Sequence, residues 1–262
     1  MGVTLTRESE RPHVARLTLD VGELNLFTIA EARELRETLE SVPEEVAVLT
    51  VGADRSADDA GEVRGLSAGL NLEWGRSLSP HEGQELLEAF YEMCQAVREL
   101  GAVVVCECGD YTLGVGFELA LCCEFRIATV DARLGLPEVN VGLPTVIHGG
   151  LLGRFVGQGV ADELIYTGRT LTGTEAADLD LLNRAVEPDR YEGAIEELVD
   201  ELAAKSPQVL KEQKRVMAGF RSVGLERGMA ASVDRIGRSF GTDHQREAMD
   251  AFLEGREPEF ES

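Results

Sequence analysis

The chain has 262 residues, 44% of them apolar, with 48 acidic and 25 basic side chains and a formal net charge of −23. That length and apolar content suit one large domain, or a domain with a smaller appendage, and the acidity repels nucleic acid and anionic membrane surfaces. No apolar run reaches the roughly 18 residues of a membrane span, and the opening "MGVTLTRESERPHV" lacks the apolar stretch of a secretion signal, so a cytoplasmic protein is expected.

In chain order, "HVARLTLDV" and "EVAVLTVGA" read as strands, and "TIAEARELRETLESV" between them has helical spacing through Ile29, Ala32, Leu35 and Leu39. After a polar loop, "ADRSADDAGEVR", a helix over 79–100 opens with Ser79, Pro80 and Glu82, a capping box with proline at its first position. The strand "AVVVCEC", a glycine turn, the short helix "GFELALCCE" and the strands "FRIATV" and "ARLGLPEV" follow. This alternation predicts a parallel α/β core. From Thr145 onward helices dominate, over 145–156, 158–167, 189–205, 206–219, 225–241 and 243–254. The expected division is a core over 1–190 and a helical region over 191–262, lying on the core or on a neighbouring subunit.

Acid is spread along the whole chain, and only three basic residues are lysine: Lys205, Lys211 and Lys214. Such a surface gains when salt screens its self-repulsion, which implies adaptation to high ionic strength. Cys94, Cys106, Cys108, Cys122 and Cys123 are odd in number, and without a secretion signal they read as reduced thiols. Cys106 and Cys108 share one face of a strand-like run, too sparse a set for a four-ligand zinc site, and no metal is expected.

Gly65-Leu66-Ser67-Ala68-Gly69 fits the G-x-S-x-G pattern of a serine hydrolase. A nucleophile elbow needs a buried strand leading into the turn, and here the charged "DDAGEVR" precedes it. The histidines available as partners, His81, His148 and His244, are few and each reads better as a solvated or packed side chain. A hydrolase using Ser67 is therefore the lesser reading. The second glycine turn, "YTLGVGFELA", has Leu119 where a dinucleotide fingerprint needs glycine, but its free N–H groups open a helix whose dipole favours negative charge. Glu118 lies in that helix's first turn and Glu138 where a later strand gives way to a loop. Two glycine turns presenting backbone donors and two carboxylates make a set suited to oxyanion stabilisation and proton transfer.

These segments, taken in order, resemble the enoyl-CoA hydratase/isomerase family, the crotonase superfamily. The resemblance covers "ELNLFTIAEARELRETLE", "LSAGLNLEW", "YTLGVGFELALCCEFRIA", "LGLPEVNVGLP", "YTGRTLTGTEAADLDLLNRAVE" and "REAMDAFLEGREPEF". It implies a crotonase spiral of ββα units with a C-terminal helical region, assembling as trimers or a hexamer, and no cofactor beyond the coenzyme A thioester that is the substrate. It also implies that the Leu70 and Val115 N–H groups form the oxyanion hole, with Glu118 and Glu138 catalytic. The acyl-CoA would contact Glu23, Leu24, Arg64, Ala68, Gly69, Leu70, Asn71, Leu113 and Gly114. Carrying both acids points to hydration of a 2-enoyl-CoA, in which Glu118 deprotonates water and Glu138 protonates Cα. Double-bond isomerisation or another acyl-CoA lyase reaction is the alternative.

The chain also departs from the family pattern. Val115 stands where glycine is usual, a costly choice if that position needs φ > 0. Asn71 replaces an aspartate, and "LPTVIHGG" replaces a glycine-rich segment of the acyl pocket, so Thr145 and His148 point to a different substrate.

The charge leads to one expectation about conditions. Thermal unfolding should occur several degrees higher in molar potassium chloride than in dilute buffer, and equal midpoints would contradict the salt adaptation.

Overall fold

The computed structural model describes residues 2–54 and 63–260, and the polar loop expected over 53–64 falls largely outside them. Strands β1 (Gly2–Arg7) and β2 (Val14–Asp20) lead to helix α1 (Ile29–Glu40) and strand β3 (Val48–Ala53). Helices α2 (Leu72–Gly75) and α3 (Pro80–Glu99), strand β4 (Val103–Leu113), helix α4 (Val115–Cys122) and strand β5 (Phe125–Gly135) follow. Then come α5 (Leu152–Val156), α6 (Gln158–Thr167), α7 (Gly173–Asp178) and β6 (Arg184–Val186). The chain continues through α8 (Tyr191–Ala203), α9 (Pro207–Val223), α10 (Leu225–Ser239) and α11 (Asp243–Glu254). The six strands form one sheet in chain order, with β1 antiparallel to β2 and every later pair parallel.

Local chemistry starts the helices where the sequence signals them. Thr28 with Glu31 and Ser79 with Glu82 form reciprocal capping boxes at α1 and α3, each satisfying two otherwise orphaned N–H groups. One strand is unexpected, and two expectations need correction. The N-terminal residues form β1, whose half-exposed edge gives a weak alternation and becomes a strand through pairing with β2. The two strands expected over 125–139 are one, β5, and Glu138–Val141 is a 3₁₀ turn that begins after Pro137. The helix expected over 145–156 is a 3₁₀ turn, Ile147–Leu151, running into α5, because Pro144 and the glycines of "IHGG" disfavour an α-helical start.

The sheet is buried on both faces, as a parallel sheet must be, and β3 is buried at all six positions. One face packs Leu17, Val51 and Val104 with Leu35 and Leu39 of α1 and Met93 of α3. On the other, Val14, Val48, Val105 and Ile127 lie under Tyr191, Ile195 and Val199 of α8. The helical region thus begins by completing the core. At the end of β4 the pairing with β5 shifts register on either side of Gly109, whose N–H donates to the Tyr191 hydroxyl at 2.8 Å. Such a bulge bends a strand. Here it lets residues 111–113 run alongside the first glycine loop.

One of the three lysines fastens α9 to this core. The Lys214 ammonium, buried, pairs with Glu124 at 2.9 Å and donates to the carbonyls of Val97 and Ala102 at 3.2 and 2.7 Å. Replacing it with Met takes the ammonium from two carbonyls and from Glu124, which keeps the Val104 amide at 3.0 Å and Arg221 at 3.7 Å. Urea unfolding of Lys214→Met should show a loss of roughly 3 kcal/mol.

Candidate active site

The site is built where three chain segments are stitched together. The loop 65–70 lies between residues 24–27 and the end of β4. Leu66 N–H donates to Cys108 O at 3.1 Å, Leu113 N–H to Ser67 O at 2.9 Å and Ala68 N–H to Leu24 O at 2.9 Å. Phe27 then takes both bonds of a parallel bridge, donating to Gly69 O and accepting from Asn71 N–H, each at 2.9 Å. In such a bridge the residue between the two partners turns its own N–H and C=O the other way. Leu70 is that residue, and it lines the cavity described below.

Asn25, not singled out among the site residues, holds the junction together. It is fully buried at φ 46°, a backbone state asparagine tolerates better than most residues. Its side chain accepts from Val21 N–H at 3.0 Å and from Arg64 at 3.1 Å, and donates to Leu66 O at 3.0 Å. Arg64 is further engaged with Asp20 at 3.3 Å and with the Gly22 carbonyl, so its guanidinium braces the loop. Ser67 is equally committed. Fully buried, its hydroxyl donates to Asn25 O at 2.7 Å and accepts from Gly69 N–H at 3.0 Å. His81 is exposed beside Glu85, and His244 bonds Ser206 and stacks on Phe260. No triad forms around Ser67 among the described residues.

The second donor sits at the start of α4. Gly114 carries φ 55° and ψ −132°, and a Cβ there would meet Glu138 Oε1 at 3.3 Å. The left-handed demand therefore falls on Gly114, and Val115 begins the helix with no positive φ. Its β-branch costs nothing there. No side chain caps this helix, and its 117 and 118 amides bond back to Gly114 O, so the Val115 N–H is left as an open first-turn donor. Gly69, at φ 93°, packs against Leu113 O, where a Cβ would come within 2.9 Å, and this close approach brings the two loops side by side.

Ala68, Leu70, Gly114, Val115, Glu118 and Glu138 all line one cavity of about 680 Å³. Leu86, Leu87 and Phe90 of α3 and Val141, Leu143 and Val146 of the 138–147 segment supply its apolar wall. The sequence does not reveal that wall, because its parts lie some fifty residues apart and carry no motif. Of the other expected contacts, Leu24 is exposed at the loop's flank and the Glu23 carbonyl accepts from the Tyr111 hydroxyl at 3.0 Å. Asn71 caps α2 by accepting from Trp74 N–H at 3.1 Å, while Gly69 and Leu113 shape the loops.

Among the described residues, the two carboxylates are the only ionisable side chains lining the cavity. All eight residues of α4 are buried, so Glu118 sits on an otherwise apolar helix. Burial and the neighbouring charge of Glu138 push its carboxyl up to about 8, against weak support from the His148 and Gly149 amides, the former at 3.3 Å. Glu138 is also raised by burial, but its own backbone N–H and the Thr145 hydroxyl at 2.9 Å pull it back. Glu138 therefore ionises first, and the pair keeps one proton, chiefly on Glu118. His148 is buried and stacks on Tyr91, and burial with the nearby charge of Arg98 lowers it to about 4, so it is neutral. Its ring lies with the thiols of Cys94 and Cys122, all within 4.8 Å of one another. The Cys94 thiol is held well above its usual range by a hydrogen bond with Cys122 and by burial, which fits packed, protonated thiols.

The chain matches the family model for enoyl-CoA hydratase/isomerase over residues 10–262. A crotonyl-CoA hydratase of Syntrophomonas wolfei is 29% identical over 240 residues, covering 90% of this chain and 88% of that protein. A probable enoyl-CoA hydratase of Bacillus subtilis is 32% identical over 251 residues, covering 94% and 95%. The crystal structure of an enoyl-CoA hydratase from Mycobacterium smegmatis superposes with a TM-score of 0.90 at 26% identity over 99% of both chains. The fold is thus the crotonase spiral of ββα units, and the chain belongs to the enoyl-CoA hydratase/isomerase family of enzymes.

Proposed function

We propose that the chain is a hydro-lyase that adds water across the 2,3 double bond of a 2-enoyl-CoA thioester. One observation carries the reading: two outward-turned backbone donors and two unequal carboxylates share a single apolar cavity. A thioester oxygen placed between the Leu70 and Val115 amides accumulates enolate charge as Cβ is attacked, and each such donor is typically worth about 3 kcal/mol of barrier. During hydration Glu118 takes a proton from the attacking water and Glu138 gives one to Cα; dehydration runs the same transfers in reverse. Each direction needs one proton on the pair: dehydration starts from the resting state, with the proton on Glu118 and Glu138 ionised, and hydration from the state in which that proton has moved to Glu138. The thioester is itself the substrate, and the family's hydratases act without a metal or organic cofactor.

Coenzyme A would lie along the loop through Ala68 and Leu24, with Arg64 holding that loop in place. Five free, buried cysteines support a reducing, cytoplasmic setting, and no described helix is long and apolar enough to cross a membrane. Assembly as a trimer or a dimer of trimers through the helical region is supported by α10. Leu225, Met229, Val233, Ile236 and Phe240 form an exposed stripe along one face of that helix, and Gly228 is its only buried residue.

Loss of the conjugated thioester absorbance of crotonyl-CoA measures the reaction. Val115→Pro removes one donor at a helix position that accepts proline, and should lower kcat about a hundred- to a thousand-fold with little change in thermal midpoint. Glu118→Gln should abolish hydration while sparing double-bond isomerisation, which needs Glu138 alone; equal loss of both would end the two-role assignment.

A further inference from the structure

The segment after Glu138 is one of those that depart from the family pattern, and in the structure it touches both carboxylates. Thr145 Oγ1 donates to Glu138 Oε2 at 2.9 Å. Three residues on, His148 N–H donates to Glu118 Oε2 at 3.3 Å. The next residue, Gly149, lies so close that a Cβ there would meet Thr145 Cγ2 at 2.4 Å and Glu118 Oε1 at 3.2 Å. Between the two donors stands Ile147 at φ 49°, a costly state for a β-branched residue. This strained corner lets two donors three residues apart serve acids from different parts of the chain.

The two supports are unequal. Glu118 is supported by the backbone amides of His148, at 3.3 Å, and Gly149, whereas Glu138 has a side-chain hydroxyl at 2.9 Å besides its own backbone N–H. Thr145 is half-buried and is not among the residues lining the cavity, while its hydroxyl meets Glu138. From this arrangement we infer that Thr145 is a positioning residue that holds Glu138 as the carboxylate facing Cα and thereby leaves the shared proton on Glu118. The inference rests on the proposed acyl-CoA chemistry. Among the described residues no other charged side chain lines the cavity, and the neighbouring His148 is neutral; burial raises Glu138, its own backbone N–H and the Thr145 hydroxyl draw it back, and Thr145 is the side-chain part of that balance.

The test compares Thr145→Val, which keeps the shape and the methyl against Gly149, with Thr145→Ser, which keeps the hydroxyl. The readouts are the pH profile of kcat/KM with crotonyl-CoA and exchange of the α-protons of butyryl-CoA in heavy water. The acid limb of both profiles belongs to the first ionisation of the pair, and a carboxylate that loses a donor binds its proton more tightly. In Thr145→Val the acid limb should therefore move up by about one pH unit, so that α-proton exchange at a pH below the limb falls about tenfold while exchange well above it changes little, with the thermal midpoint unchanged. Thr145→Ser should restore both. An acid limb that stays in place, moves down, or moves equally in both variants overturns the role of Thr145 while leaving the wild-type reaction standing. A wild-type protein that neither hydrates crotonyl-CoA nor exchanges the α-protons overturns the functional reading itself, and this inference with it.

Discussion

Everything in the cavity depends on α4 beginning inside the protein. A helix start leaves N–H groups without partners, and burying them among apolar side chains is costly unless something polar arrives to accept them. Here the start carries no side-chain cap, and the chain enters it through Gly114 in a conformation that only glycine adopts cheaply. The Val115 amide is consequently left without a partner in its helix, and the bridge between Phe27 and the 65–70 loop leaves Leu70 lining the same cavity. In the proposed reaction the polarity that the fold leaves unsatisfied is what a developing oxyanion would supply.

The same burial sets the acid–base chemistry. Glu118 on a wholly buried helix contributes nothing to stability in its charged form; it is tolerated because it keeps a proton near neutral pH. Glu138, at the rim of a turn with a hydroxyl donor, gives up its proton more readily. Two identical side chains thereby acquire different proton affinities from their surroundings, the pattern expected of acid–base pairs. The exterior follows another logic. Its excess of acid repels itself, while the one buried lysine, Lys214, joins a helix of the C-terminal region to the core through an ion pair and two carbonyls.

Much of this architecture is legible in the chain. Alternating and helical spacing marks β2, α1, β3, α3 and β4, because each buries a continuous stripe against the sheet. The capping boxes at Thr28 and Ser79 are readable because they involve residues only three apart. Less legible are β1, an edge strand that exists by pairing with β2, and Glu138–Val141, where the strand pattern of "LGLPEV" runs past a 3₁₀ turn set by Pro137 and contacts from distant segments.

For the candidate site, the sequence by itself determined the inventory: two glycine turns, two glutamates twenty residues apart, and a serine in too charged a context for a nucleophile elbow. Only the tertiary structure decided how they are used. It moved the left-handed strain from position 115 to Gly114, committed the Ser67 hydroxyl and Arg64 to bracing, and made Asn25 the hub of the junction. It also drew the apolar wall from α3 and set Thr145 against Glu138. The physical reason is one of range. Spacing reports interactions within a few residues of chain, whereas the direction of an amide, the burial of a carboxylate and the partner of a hydroxyl are fixed by segments that meet only when the sheet has folded.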